Sequence, residues 1–403
     1  MLLRLAWRNI WRNKRRTLIT LGMIQFAVVL ATLMATIRDG IMNIQVENVV
    51  GGYQGYAAIN DTGYVEEPSI DYIVPYNDSV QSFLKSKNLI KSYSPRIIGG
   101  GIITLGEKFK IGRVVGVNPE LEDSLTHFSK SLVKGRVLHS SGEVVLGLGL
   151  AERLKADIDS VVFITGMGYQ GNTANLMLKV VGIMKLSNIQ ENKRLAFVTL
   201  EEAREGFALY DGVNQIVLGL RDNTKAKQSV KELKKQFTDP VQIYSWKELN
   251  VPLYMLVEVN DALNIIVSAM LYFIISFGLF GTILMMLAER KREFGMLIAI
   301  GMKKSKLSYI TYLENTFMAV FGTALGFVIA IPVVYYLNQN PITLTGRNAE
   351  DIAKFGFEPL VKTSMNFNIF MWQAISVLGI SLFFSLYPIL KIRSMNENKA
   401  MKG

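Results

Sequence analysis

Apolar residues follow two patterns along this chain. In four stretches they run nearly unbroken for the length of a membrane crossing, and elsewhere they come in short alternating or helically spaced bursts. A helix crossing a hydrocarbon core of about 30 Å needs roughly 20 apolar residues, because each adds about 1.5 Å of rise. The windows 17–37, 262–288, 309–337 and 367–390 meet that requirement. The first has Gln25 as its one strongly polar residue, and the third holds Glu314, Asn315 and Pro332. Residues 38–261, between the first two windows, read as strands and short helices. Gly142–Leu154 (GEVVLGLGLAERL) predicts strand, turn and helix, and strands at 161–165 and 176–184 flank the loop GMGYQGNTAN. A strand at 197–200 leads into a helix from Glu201, and another strand follows at 214–220. A lysine-rich helix at 224–237 puts Val230 and Leu233 on one face.

The predicted fold is an α-helical membrane protein with four transmembrane helices and an α/β (α+β) domain between helices 1 and 2. Both ends of 38–261 build the half of that domain next to the membrane, and a smaller lobe, about 120–195, is inserted between them. The remaining segments are an amphipathic helix at 1–16, a loop at 289–308 between helices 2 and 3, a short loop at 338–366 and a tail at 391–403.

Basic residues set the orientation, since short cytoplasmic flanks collect Lys and Arg. Arg4, Arg8, Arg12, Lys14, Arg15 and Arg16 precede the first window. Arg290, Lys291, Arg292, Lys303, Lys304 and Lys306 lie between the second and third, and Lys391, Arg393, Lys399 and Lys402 follow the fourth. Loop 338–366 has only Arg347, Lys354 and Lys362 among several acids. Both termini and the 289–308 loop are therefore expected in the cytoplasm, with 38–261 outside a bacterial inner membrane. A cleaved signal peptide is the competing reading of the first window, but its apolar stretch is long for one and no A-x-A site precedes Arg38. Leu3, Trp7, Ile10 and Trp11 share a helical face beside a stripe of arginines. That predicts an interfacial anchor in which Trp7 and Trp11 sit at headgroup depth while Arg8 and Arg12 reach lipid phosphate or water.

Composition narrows the chemistry. Half the residues are apolar and 19% are charged, which suits a few spans plus a soluble domain. The excess of 44 Lys+Arg over 33 Asp+Glu clusters beside apolar segments, which argues for membrane lipids and against nucleic acid. Without cysteine there is no disulfide frame or thiolate metal site, and His127 and His139 are the only histidines, read as surface residues. Glu66-Glu67 beside Pro68 reads as solvated loop. No G-x-x-x-x-G-K-[ST] occurs, so no Walker-type ATP site is expected in this chain, nor any bound cofactor, metal or catalytic residue.

The stretch Glu289-Arg290-Lys291-Arg292-Glu293-Phe294-Gly295-Met296-Leu297-Ile298-Ala299-Ile300-Gly301-Met302 resembles the E-R-x-x-E-[IF]-G-x-x-[KR]-A-[LI]-G cytoplasmic signature of the FtsX/MacB/LolCDE permease superfamily. Ile298 stands where that pattern has Lys or Arg. It reads as a short amphipathic helix, with Gly295 and Gly301 allowing close backbone approach. The resemblance makes it a coupling helix docking into an ATPase dimer, with Glu289, Arg290, Arg292, Glu293, Phe294, Gly295, Ala299 and Gly301 as coupling residues. Leu5–Thr17 (LAWRNIWRNKRRT) is similar to the family's entry segment, and Glu314 followed by Gly322 and Gly326 to its E-x7-G-x3-G helix. Gly322 and Gly326 form a small-xxx-small packing face. Glu314 is a membrane-boundary candidate: it is costly there unless it meets water or a basic partner, and its other reading is simple snorkelling at the boundary. Tyr387-Pro388 to Met401 echoes the family's exit segment, with Asn396-Glu397 in place of its Asp-Pro. GEVVLGLGLAERL, VVGIMKL and Trp246 resemble a MacB-like core domain.

The resemblance implies a permease subunit that works by mechanotransmission beside a second permease, identical or paralogous, while an ABC ATPase dimer consumes ATP and Mg. The favoured cargo step is LolC/LolE-like: lipoproteins are extracted from the inner membrane and passed to a periplasmic carrier. The hairpin residues Gly166, Gly168, Tyr169 and Gly171 are the candidate carrier contact. A MacB-like exporter with a separate ATPase and an FtsX-like regulator of wall hydrolases are the alternatives. A membrane-anchored enzyme lacks a site, and a receptor would not need the signature.

Overall fold

The computed structural model describes residues 2–12, 14–186, 188–222, 226–235, 241–347, 349 and 359–394. Lys354, Asn396-Glu397, Lys399 and Lys402 lie outside these. The chain forms two compact units: Met1–Asn43 with Glu258–Thr343 and Leu360–Gly403, and Ile44–Val257 with Leu344–Pro359.

Four helices of the described chain are long and apolar enough to cross a membrane: Thr17–Gln54, Val251–Ala299, Lys304–Gln339 and Phe367–Arg393. Each extends beyond its apolar window, because backbone hydrogen bonding continues through polar flanks until a residue stops it. The second spanning helix shows both kinds of stop. Asn250 caps its start, its side chain accepting from Leu253 N at 3.1 Å, and Pro252 occupies the first turn, where no amide is needed. Its far end closes at Gly301, whose φ of +102° suits a left-handed turn. There Met302 N donates to Leu297 O at 3.0 Å and Gly301 N to Ile298 O at 2.9 Å, the paired bonds of a Schellman cap. The signature is thus not a separate coupling helix in the 289–308 loop. It is the last turns of one 49-residue helix, and the linker before Lys304 is a few residues long.

Small residues bring the first and third spanning helices together. A Cβ on Gly322 would lie 2.9 Å from Ile24 Cβ, and one on Gly326 2.9 Å from Val28 Cβ. Ile24, Ala27, Val28 and Ala31 also pack with Ile275, Leu279 and Val377 of the second and fourth helices. The amphipathic helix Leu2–Arg12 buries Ala6 and Ile10.

In the other unit ten strands form one sheet. They are β1 (Ala57–Asp61), β2 (Ile90–Leu105), β3 (Lys108–Val117), β4 (Leu132–Gly135), β5 (Glu143–Gly147), β6 (Val161–Met167), β7 (Thr173–Met184), β8 (Leu195–Thr199), β9 (Gln215–Leu220) and β10 (Val241–Ser245). Their order is β10-β1-β9-β2-β3-β8-β5-β7-β4, and β6 pairs with both β2 and β7. The ladder β2-β3-β8-β5-β7-β6 therefore returns to β2 and closes a small barrel. Ile103, Val114, Leu146, Ile164, Leu178 and Val198 fill its inside. Alternation along the strands turns Ile102, Phe109, Ile111, Phe163 and Met177 outward, where they are exposed. Strands β1, β9 and β10 come from both ends of the segment, while 120–195 supplies β4 to β7.

Most expected elements of this unit appear within a few residues of their sequence positions. Helices Leu148–Leu154 and Leu200–Gly206 follow β5 and β8, and Ala226–Lys234 buries Val230 and Leu233. The glycine-rich loop is shorter than expected: β6 and β7 extend into it and leave 168–172 as the turn.

Candidate coupling site

The signature is built around a buried charge cluster. Glu314, 1% exposed in the third spanning helix, is ion-paired with Arg290, 5% exposed near the end of the second. Asn9 Nδ2 of the amphipathic helix donates to the other Glu314 oxygen at 2.6 Å. Arg290 also reaches Glu293 at 3.3 Å and lies over the Phe294 ring, 5.1 Å from its centroid. Arg12 meets Glu293 at 3.5 Å. Three helices are thereby tied at one point by a carboxylate that would be costly alone in an apolar helix. Glu314 does not snorkel: it has the basic partner that the sequence made a condition of its burial. Beside the cluster a cleft of about 620 Å³ is lined by Arg12, Lys14, Arg15, Glu289 and Glu293, among others.

The eight residues expected to couple divide by environment. Arg290, Phe294 and Gly295 are buried, Glu289, Arg292, Ala299 and Gly301 are exposed, and Glu293 is intermediate. Gly301 supplies the helix cap. Met296, Leu297 and Ile300 form an exposed apolar tip to the helix, Ile300 being 84% exposed. Lys291 and Arg292 are exposed on the preceding turn. Asn9 was not singled out by sequence reasoning; its only signal was its place beside Arg8 in the entry segment.

The structure places Trp7 edge-on to Phe317 at 6.0 Å and tilted on Phe321 at 5.4 Å, so this anchor packs on the third spanning helix. Trp7 and Trp11 remain partly exposed, as do Arg8 and Arg12.

The 166–171 hairpin lies in the other unit and is pinned along its length. Gly166 pairs with Gly101 of β2, and a Cβ there would lie 2.3 Å from Gly100 O. A Cβ on Gly168 would come 2.6 Å from Phe207 O, and Tyr169 N donates to that carbonyl at 2.8 Å. Gln170 N donates to Asp71 Oδ1 at 2.7 Å. Positive φ falls at Gln170 and Gly171 only, so Gly166 and Gly168 are kept small by neighbouring backbone and not by turn geometry. His127 adopts φ 54° and closes the helix Pro119–Thr126. The exposed His139 has its amide bonded to Glu143.

A family model described as FtsX-like permease C-terminal matches residues 265–396. One described as MacB-like periplasmic core domain matches residues 17–236, more than half the chain. The lipoprotein-releasing system transmembrane protein LolC of Neisseria meningitidis is 20% identical over 326 residues, 78% of this chain and 76% of that one. The macrolide export ATP-binding/permease protein MacB of Escherichia coli is 20% identical over 345 residues, 81% of this chain. The alignment takes in only 51% of that longer relative. Among solved structures, the periplasmic region of MacB from Actinobacillus actinomycetemcomitans aligns at 13% identity with a TM-score of 0.35, covering 53% of this chain and 97% of that one.

Proposed function

Because this chain belongs to the FtsX-like ABC transporter permeases with a MacB-like periplasmic core domain, we propose that it is a force-transmitting subunit with no nucleotide chemistry of its own. A separate ABC ATPase dimer uses ATP and Mg, and a second permease, identical or paralogous, completes the complex. Both termini and the Glu289–Gly301 segment face the cytoplasm, and the strand-rich unit faces the periplasm. The observation that carries this reading is the single unbroken helix Val251–Ala299. Its signature end is locked by Arg290 and Glu314 and presents an exposed apolar tip at Met296, Leu297 and Ile300. A rod held at its base and free at its tip can pass a push along its axis, whereas a flexible loop would absorb it.

The cargo reading is extraction of lipoproteins from the inner membrane for a periplasmic carrier, supported by the LolC similarity over most of both chains. The MacB similarity supports export through partner proteins as the alternative. In the assembled complex, Gly295→Leu should leave ATP hydrolysis running while transport falls by an order of magnitude or more. Unchanged transport would sink the coupling role. Mass spectrometry of material trapped on a complex with a hydrolysis-dead ATPase separates the cargo readings: acylated proteins support the first, small amphiphiles the second.

A further inference from the structure

A cleft of about 1180 Å³ opens within the strand-rich unit, far in sequence from the signature. Tyr53 lines it from the helical segment Glu47–Gln54, Arg96 and Arg113 from β2 and β3, and Glu191 from the short helix Ile189–Asn192. Each guanidinium nitrogen of Arg96 donates a hydrogen bond. Arg96 forks onto Glu122 at 2.6 and 3.0 Å and donates to Tyr53 O at 2.7 Å, which fixes the backbone that carries the Tyr53 ring. The groups beside it are not satisfied. The Tyr53 hydroxyl is buried beside Arg113 without a hydrogen bond of normal length to any described residue, and Glu191 Oε2 is likewise unbonded. Arg113 meets Glu191 at 3.6 Å, outside hydrogen-bond range. A buried donor left unpaired is costly, and native structures seldom keep one without a use for it.

The charges lining the cleft show what would use it. Arg96, Arg113, Arg153, Lys193 and Arg194 face Asp71 and Glu191. With Arg96 neutralised by Glu122, four cations remain against two acids, a surplus of two positive charges. We infer that this cleft binds an oxyanion of the phosphate class, gripped by the Arg113 guanidinium and the Tyr53 hydroxyl. A guanidinium presents a planar fork of donors matched to such oxygens, and a phenol, neutral at physiological pH, adds one more. Glu191 repels the anion, but its present pairing with Arg113 lacks a hydrogen bond, and Arg153, Lys193 and Arg194 outweigh it. The dianionic charge of a phosphate monoester matches the surplus where a single carboxylate would leave half of it uncompensated. The inference is independent of the coupling and cargo readings.

The source is a free phosphate or the monoester headgroup of a phosphatidic-acid lipid, and titration separates them. The full chain, delipidated in dodecyl maltoside at fixed ionic strength, is titrated with inorganic phosphate and, separately, with dihexanoyl phosphatidic acid. Saturable binding of phosphate itself identifies a free-anion site, and binding of the lipid alone identifies a headgroup site. In either case Arg113→Gln should weaken binding by about tenfold or more, as loss of a hydrogen bond to a charged group does. Tyr53→Phe should weaken it by several fold while leaving the unfolding temperature unchanged or raised, because it deletes a hydroxyl that no described residue pairs. That second variant keeps the test valid if Arg113→Gln fails to fold. No saturable binding of either probe into the millimolar range, or binding indifferent to both substitutions, would overturn the inference.

Discussion

Glu314 carries more of the structure than its place in an apolar helix would suggest. Its ion pair with Arg290 is buried, so removing one partner strands the other charge, at a cost of about 3–5 kcal/mol, whereas replacing both with apolar residues of similar size is often neutral. Glu314→Ala should therefore lower the unfolding temperature in detergent sharply, and Arg290→Met with Glu314→Leu should recover most of the loss. Equal destabilisation by the single and double variants would show that the pair is not the stabilising unit. The sequence supplied both residues and the need for a basic partner, but not which of the flanking arginines would serve. That choice depends on how the second and third helices meet after the Gly301 turn. In the strand-rich unit, the Arg136 side chain and then the amides of His139 and Ser140 hold Glu143 down to about 2 from an ordinary 4.5. A lowered carboxyl stabilises the fold fully above its unfolded value, and that contribution is lost as pH falls through about 2. Thermal unfolding followed from pH 7 to pH 2 should show this decline in the native chain. Glu143→Gln should start lower at pH 7 and lose that part of the slope.

At the scale of elements, close helix packing and strand closure both turn on glycine. The Gly322-x-x-x-Gly326 face was legible because small-xxx-small spacing has one physical use in a span. A side chain at Gly326 would meet Gln25 backbone at 3.1 Å as well as Val28, so the two helices must part to admit it. Gly326→Leu should cost about 1–3 kcal/mol through overpacking, read as a lower unfolding temperature, while Gly281→Leu, where a Cβ meets nothing, should be tolerated. The centre of the sheet was not legible. Gly99-Gly100-Gly101 in IIGGGII belongs to none of the predicted elements, yet it lies in the middle of β2. Two of the three are needed there, because a Cβ at Gly99 would come 2.4 Å from the Phe207 ring and one at Gly101 would come 3.0 Å from Thr165 O of β6, whereas a Cβ at Gly100 would meet nothing. Short-range patterns predicted β5, β8 and β9 well, since each buries side chains regularly against its neighbours. The pairing of β6 with both β2 and β7 is a long-range fact that no local period encodes.

For the whole molecule, the sequence established the four spans, the intervening domain and the signature, all of which rest on local composition and spacing. It did not show that the signature continues the second spanning helix, because charged residues at 289–293 interrupt the apolar run without breaking the backbone. The Tyr53–Arg113 cleft was also hidden, its residues being scattered along the chain from 53 to 252. In the proposed arrangement the tip of that helix lies against a separate ATPase on the cytoplasmic side. The native chain has no cysteine, so a single one at Ile300 can be addressed cleanly. Ile300→Cys in cells co-expressing the ATPase should resist a membrane-impermeant maleimide from outside and form a thiol-specific crosslink to the ATPase, with a yield that changes on nucleotide binding. Labelling from outside the intact cell, with no crosslink in either nucleotide state, would contradict the account.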